Sequence, residues 1–378
     1  MTWLWLALGA LWLLVALRDL RALAVLPPLP PLPATAPTPA VSVVMAVRDD
    51  EAHVGEAVRH MLGQQHVDLR LVVVDDRSRD GTGGRLAAMA AEHERLRIVT
   101  VNELPPGWLG KSHALHVGAE LVSTRWLLFA DADARLSPDA LARAIDAAER
   151  TDAQHVCLLP AHRSTTVAGR ACLLAFQLLV QGRVRAVNAT PQRSFVGTGA
   201  FNLVRSDAYR AVGGHVPLRL EVVDDVLLGY LLFRAGYRAR VWFAPHDLTI
   251  DWGGTPLGLL RVVEKNMFAM LRYRTVPVLA LWAAATLLLA ATFAAPWLGG
   301  SAGAFALGAC AATALPGVRL ARKMSWHALT GLLVPIARVW LPIALLRSML
   351  VTLWRGGVRW RGTFYPLAML RRGQVDLR

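Results

Sequence analysis

The chain has 378 residues, of which 54% are hydrophobic, with mean hydropathy +0.39 and a formal charge of +14. That hydropathy is high for a soluble protein and favours one domain plus membrane segments over two soluble domains. The three cysteines, Cys157, Cys172 and Cys310, form no close pair and no metal-ligand spacing. They offer no disulfide framework and no zinc site to argue from, and fit a reducing compartment.

Residues 2–17 (TWLWLALGALWLLVAL) carry no charge, and Arg18, Asp19 and Arg21 follow. A cleaved signal peptide places basic residues before the apolar run and a small-x-small site after it. Neither is present, so residues 1–21 read as an uncleaved anchor with the following chain in the cytoplasm. Residues 22–40 hold the run PPLPPLPATAPTP. Polyproline geometry would make that run a semi-rigid spacer of about 40 Å.

Residues 41–270 alternate apolar runs of strand length with helical patterns. The runs 41–47, 69–74, 97–101 and 126–130 predict strands buried on both faces of a parallel sheet. Residues 51–62 and 81–94 predict helices, as does KSHALHVGAELVS, where Ala114, Leu115, Gly118, Leu121 and Val122 share one face. The alternation predicts an α/β fold with an open, doubly wound sheet, whose ligands bind at the carboxyl ends of the strands.

Three acidic pairs stand at element boundaries. Strand 126–130 runs into Asp131 and Asp133, two carboxylates separated by one alanine. Such a pair repels itself unless a cation intervenes, and Mg²⁺ or Mn²⁺ pairs one or two carboxylates with substrate phosphates. A solvated turn before a helix capped by Ser137 carries the same residues. Strand 69–74 ends in Asp75-Asp76, within DDRSRDGT, whose turn chemistry alone also explains it. Asp224-Asp225 opens a helix over DDVLLGYLLFRAG, where either carboxylate could serve as a cap. Three caps in three such places explain less than one shared site. Gly110-Lys111-Ser112 imitates the end of a Walker A loop, but the required glycine five positions earlier is Pro105, which excludes that loop. Lys111 and the helix start still offer positive charge to a phosphate.

Towards the C-terminus, 276–298 and 302–316 predict two membrane spans. Segment 331–354, with Arg338, Arg347, Pro335 and Pro342, predicts a re-entrant or interfacial hairpin. Residues 271–354 are thus membrane and interfacial helices, and 355–378 a basic tail. From residue 276 onward there are eleven Lys/Arg and one acid, Asp376. These basic residues sit between apolar runs, the pattern of loops facing anionic lipid rather than nucleic acid.

In this order the motifs resemble a family 2 glycosyltransferase of GT-A fold over about 40–270. VSVVMAVRDDEAHVGEAV is similar to the opening strand and loop against the nucleotide base, which implies donor-binding roles for Val47 and Asp49. VVVDDRSRDGT resembles the second nucleotide element, with Asp76 the matching carboxylate. FADAD matches the metal motif, Asp131 and Asp133. GTGAFNLVRSDAYRAVGGH, with Gly199, resembles the acceptor-side segment. VVDDVLLGYLLFRAG resembles the E-D-x-x-L-G helix, with Asp225 at the catalytic base and Asp224 in place of the usual Glu. PPGWLGKSHAL and EKNMFAMLRY look like membrane-attached lipid glycosyltransferases associated with hopanoids and carotenoids, and more distantly ceramide glucosyltransferases. LLRVVEKNMFAMLRYR lacks the Q-x-x-R-W of sugar-polymerising members, which counts against a processive synthase. Trp252, Lys265 and Asn266 are then candidates for acceptor contact.

The resemblance implies inverting transfer from a UDP- or GDP-sugar to a hydroxyl of a lipid or other membrane-associated acceptor, assisted by Mg²⁺ or Mn²⁺. Lys111 and Asp131 join the donor-binding set. Nucleic acid is not an expected partner. The expected location is the inner or plasma membrane, with the catalytic domain cytoplasmic. The alternatives are a processive polysaccharide synthase and a nucleotidyl or other phosphoryl transferase on a similar sheet.

Overall fold

The computed structural model describes residues 2–190 and 193–377. Along the chain lie α1 (Thr2–Ala24), β1 (Ala40–Val47), α2 (Val54–Leu62), β2 (Asp68–Asp76), α3 (Thr82–Glu92), β3 (Leu96–Val101), α4 (Gly110–Glu120), β4 (Trp126–Phe129) and β5 (Arg135–Leu136). Next come α5 (Ala140–Arg150), β6 (His155–Leu159), β7 (Ala161–Arg163), α6 (Val167–Ala189), β8 (Asn202–Arg205), α7 (Ser206–Ala211), α8 (Asp224–Arg234), β9 (Ala239–Phe243) and β10 (Leu248–Asp251). The remainder is α9 (Pro256–Val263), α10 (Asn266–Met270), α11 (Thr275–Ala312), α12 (Ala314–Lys323), α13 (Ala328–Leu332), α14 (Val334–Ala337), α15 (Trp340–Arg355), β11 (Gly357–Trp360), β12 (Thr363–Pro366) and α16 (Leu367–Arg372).

Internal contacts divide the chain into two units. The sheet unit comprises Pro27–Ala161, Ala186–Asp251 and Gly357–Arg378. Its seven-stranded sheet has the order β3-β2-β1-β4-β8-β6-β9. β1 to β4 pair in parallel, whereas β8 is antiparallel to both β4 and β6. The sheet is therefore mixed, with the α/β layering of a GT-A fold. Val43, Leu71, Val73 and Leu128 are fully buried, each contributing about 1.5–3 kcal/mol by leaving water. Helix α4 lies on β1 and β2, and a Cβ on Gly118 would stand 2.5 Å from Val44 Cγ1. Leu121, predicted for the inner face of that helix, is instead 38% exposed just past its end.

The Pro-rich run is not a free spacer. Phe243 N–H donates to Pro27 O at 2.8 Å and Leu29 N–H to Phe243 O at 3.3 Å, so the start of the run, Pro27 to Leu29, pairs with the end of β9 at the sheet edge. Arg143 donates to the carbonyls of Leu29 and Pro30. An edge tolerates prolines because few of its donors need partners, and buried Leu29 supplies the anchoring contact.

The second unit comprises Met1–Leu26, His162–Arg185 and Trp252–Gly356. Here Trp12 Nε1 donates to Thr292 Oγ1 at 2.8 Å, and Arg338 Nη2 to buried Asp19 Oδ2 at 3.1 Å. Four helices are long and apolar enough to cross a membrane: Thr2–Ala24, Val167–Ala189, Thr275–Lys323 and Val334–Arg355. The break expected after residue 298 is a kink at Gly300, whose φ of 54° suits glycine. Segment 167–189 lies within residues 41–270, where the sequence suggested no membrane span; Arg170, Gln177, Gln181, Arg183 and Arg185 interrupt its apolar run.

Candidate active site

Phe129 ends β4, and the next residues turn out of the sheet. Asp131 N–H donates to Gly199 O at 2.9 Å, which fixes the turn against the segment preceding β8. A Cβ on Gly199 would stand 2.5 Å from Asp131 Oδ2. From the first turn of α4, Lys111 Nζ reaches Asp131 Oδ1 at 2.6 Å. Asp224 and Asp225 open α8 and line the same cleft as Lys111, Asp131, Gly199, Asn202 and His215. Burial would lower the pKa of Lys111, but the charges of Asp131, Asp224 and Asp225 outweigh it and hold the ammonium well above the ordinary lysine range. One cation among three carboxylates offsets their mutual repulsion.

The start of α8 is held by close backbone approach. A Cβ on Gly197 would lie 1.8 Å from Asp225 O, so only glycine fits there. Asn202 Nδ2 donates to that same carbonyl at 3.2 Å. His155 Nε2 lies 2.5 Å from Asn202 Oδ1, and burial lowers the His155 pKa to about 4. His215, paired through Nδ1 with Tyr209 Oη at 2.7 Å, stands 3.8 Å from Asp224. Burial, with added repulsion from Lys111, lowers the His215 pKa to about 3.

A second cleft shares Lys111 and is lined by Val47, Arg48, Asp76, Gly110, Trp360, Arg361 and Tyr365. Asp76 ends β2, and Arg77, with φ of 60°, turns back to grip it through Nε and Nη2 at 2.7 and 3.0 Å. The last three wall residues come from the β11–β12 hairpin. The segment read as a basic tail therefore folds into the sheet unit. Tyr365 Oη accepts the Gly110 N–H at 3.0 Å, and Val375 N–H donates to Glu221 at 2.7 Å.

The structure thus gathers Asp131, Gly199, Asp224, Asp225 and Lys111 around one cleft, and Val47 and Asp76 around the adjoining one. Asp49, with φ of 48°, lines neither; its carboxylate accepts Arg79 N–H at 2.7 Å and ties two loops. Trp252, Lys265 and Asn266 belong to the other unit. There Trp252 packs on His162 and Phe176, and Lys265 donates to Asn266 at 3.0 Å. Arg48, His215, Asn202 and the hairpin residues were missed. His215 and Asn202 lay in a motif already singled out, whereas Arg-Gly in RWRGTFYP is not one of the Asn-Gly or Asp-Gly pairs that mark a hairpin in a sequence.

Asp133, beside Asp131, is half-buried. Burial, then the charge of Asp131, raises its pKa to about 6. Among the described residues no three His, Cys, Asp or Glu side chains form a metal-holding group. Asp133 lines neither cleft and Asp131 is already paired with Lys111 at 2.6 Å, so these two carboxylates would hold a cation only with phosphate and water completing its shell.

The fold and its carboxylate-rich strand ends define the GT-A class. Residues 42–213 match the family model for Glycosyl transferase family 2, and this part of the chain is a family 2 glycosyltransferase domain. Among relatives, the chain is 32% identical over 116 residues to the succinoglycan biosynthesis protein ExoO of Rhizobium meliloti. It is 31% identical over 108 residues to the 4,4'-diaponeurosporenoate glycosyltransferase of Staphylococcus haemolyticus. These alignments cover 31% and 29% of this chain and span only 32% and 28% of the relatives' own lengths. The mannosyltransferase PcManGT from Pyrobaculum calidifontis, solved with GDP-Man and Mn²⁺, superposes with TM-score 0.54 at 20% identity. That match covers 93% of this chain and 99% of the other, and speaks for the fold alone.

Proposed function

We propose that this protein is an inverting glycosyltransferase that moves a sugar from a UDP- or GDP-sugar to a hydroxyl of a lipid held in the membrane. The observation that carries it is the convergence of Asp131, Asp224 and Asp225 on Lys111 in one cleft, beside a cleft containing Asp76. Asp225, at the start of α8, takes the proton as the acceptor oxygen attacks the anomeric carbon, and the bond to the diphosphate breaks on the opposite face. Gly197 and Asn202 hold that carboxylate's backbone in place. Lys111 offers fixed positive charge to the departing diphosphate. Asp131 and Asp133 would hold Mg²⁺ or Mn²⁺, which supplies charge neutralisation on the leaving group.

A lipid acceptor agrees with the four long apolar helices, and with a relative named for transfer to 4,4'-diaponeurosporenoate. On this reading the enzyme sits in the inner or plasma membrane, with the sheet unit on the cytoplasmic side where nucleotide-sugars are present.

Asp225→Asn tests the assignment. Transfer should fall by at least about 10²-fold, the scale of a lost general base, while UDP or GDP binding persists. Wild-type turnover in that variant removes Asp225 from the role. Mass spectrometry of membrane lipids with and without the gene identifies the acceptor by an added hexose-sized mass; no lipid difference argues against a lipid acceptor.

A further inference from the structure

Arg48 follows β1 at the edge of the cleft that contains Asp76. Its side chain is 10% exposed, and its Nε has no hydrogen-bond partner among the described residues. The Asp49 carboxylate stands off at 3.6 Å. Nη1 is satisfied, donating to Thr363 Oγ1 at 2.9 Å. A guanidinium withdrawn from water with an idle N–H is a costly arrangement unless an anion completes it.

Thr363 opens β12, and it pairs with Trp360 across the two-residue loop Arg361-Gly362. Both loop residues have positive φ, 44° and 76°. That is the sign pattern of a type I′ hairpin turn, whose preferred pair is Asn-Gly. Arginine is a poor resident of this backbone region, and such outliers gather where a ligand needs the side chain. The turn puts Arg361 on the wall of the cleft, while buried Tyr365, through Gly110 N–H, pins the hairpin to the start of α4. Three cationic side chains therefore line one cleft: Arg48, Arg361 and Lys111. Lys111 is shared with Asp131, and Asp76, the one carboxylate on the lining, is gripped by Arg77. Arg361 supplies surplus positive charge, and Arg48, paired at 3.6 Å with Asp49 outside the lining, keeps an N–H unbonded.

We propose that the β11–β12 hairpin forms the donor-side wall of the active site and that Arg361, with Arg48, binds the diphosphate of the nucleotide. The assignment rests on the donor-site reading above and adds a chain segment far outside the family 2 match. Two guanidinium forks suit phosphate oxygens better than ammonium groups do, because each offers parallel N–H donors. A hairpin carrying one of them also makes an intact C-terminus a condition for donor binding.

The test is Arg361→Asn in the full-length protein, with binding of UDP, GDP, uridine and guanosine measured in the presence of Mn²⁺. The substitution creates the Asn-Gly pair that the turn prefers, so the hairpin should be kept and the melting temperature should not fall. Whichever diphosphate the wild type binds should bind about tenfold or more weakly, the scale of a lost charge-assisted contact. Affinity for the matching nucleoside should be unchanged, a selectivity that a merely structural role would not produce. If Arg361→Asn should unfold, Arg361→Gly, also at ease with positive φ, repeats the measurement. Equal diphosphate affinity in variant and wild type overturns the hairpin assignment alone. A wild type that binds neither UDP nor GDP overturns the donor-site reading, and the hairpin assignment with it.

Discussion

Gly197→Ala tests whether the position of Asp225, rather than its mere presence, sets the rate. The added Cβ would stand 1.8 Å from Asp225 O, 2.3 Å from Asp225 C and 2.6 Å from Val226 N. These are backbone atoms and cannot swing aside as a side-chain tip does. The first turn of α8 must retreat by about 1 Å or more, carrying the Asp225 carboxylate with it. Overpacking of this kind costs about 1–3 kcal/mol, which a domain of ordinary stability, about 5–15 kcal/mol, survives. A misplacement of about 1 Å at the reacting groups is enough for a loss of about 10²-fold. Nucleoside diphosphate binding should persist, because Asp76 and Arg48 lie in the adjoining cleft. The assay is steady-state transfer beside UDP and GDP binding on one preparation. Gly236→Ala is the control: it lies past the far end of the same helix, with φ of 84° and open space around it. It should cost about 1–2 kcal/mol through backbone strain alone and leave turnover unchanged. Wild-type kcat in a folded Gly197→Ala protein would refute the reasoning.

Asp133→Ala should weaken UDP or GDP binding and remove its dependence on divalent cation, as read by titration with and without EDTA. Equally tight binding by the wild type in EDTA would speak against the two-carboxylate platform. Stability should also fall on mild acidification. His155 is held neutral, its pKa lowered from 6.5 to about 4, so between those values the unfolded chain binds a proton that the folded chain refuses. Its contribution is complete above pH 6.5 and lost as pH drops towards 4, on the order of 3 kcal/mol in all. His155→Gln should flatten that slope in urea titrations at stepped pH. An unchanged slope would mean that His155 does not resist protonation in the fold.

Much of the sheet unit was legible because its signals are local. Runs such as VSVVMAV and LRLVVV are buried on both faces, and continuous apolar strands of that length leave few alternatives. The acidic pairs were equally readable, since Asp131, Asp76 and Asp224-Asp225 fall where those runs stop or a helix begins. Other features came from contacts distant in sequence. RWRGTFYP lacks the usual hairpin pair, and its docking depends on Tyr365 meeting Gly110, 255 residues away. Nothing local distinguishes such a hairpin from a basic tail. The docking of the first residues of the Pro-rich run was hidden for the same reason: the partners of Pro27, Leu29 and Pro30 are Phe243 and Arg143. Ser137, expected as a cap, instead bonds Asp139 and Asp247, and α5 begins at Ala140.

By itself the sequence determined the first four strands with the helices between them, the apolar segments near the two ends, and which carboxylates end up at the lips of strands, because each follows from residue type and short-range periodicity. Only the tertiary structure decided that Lys111 stands among three of those carboxylates, that Arg77 occupies Asp76, and that the C-terminal hairpin closes the neighbouring cleft. Charge compensation and close backbone approach are properties of distance in space, and a linear chain does not record them until it folds.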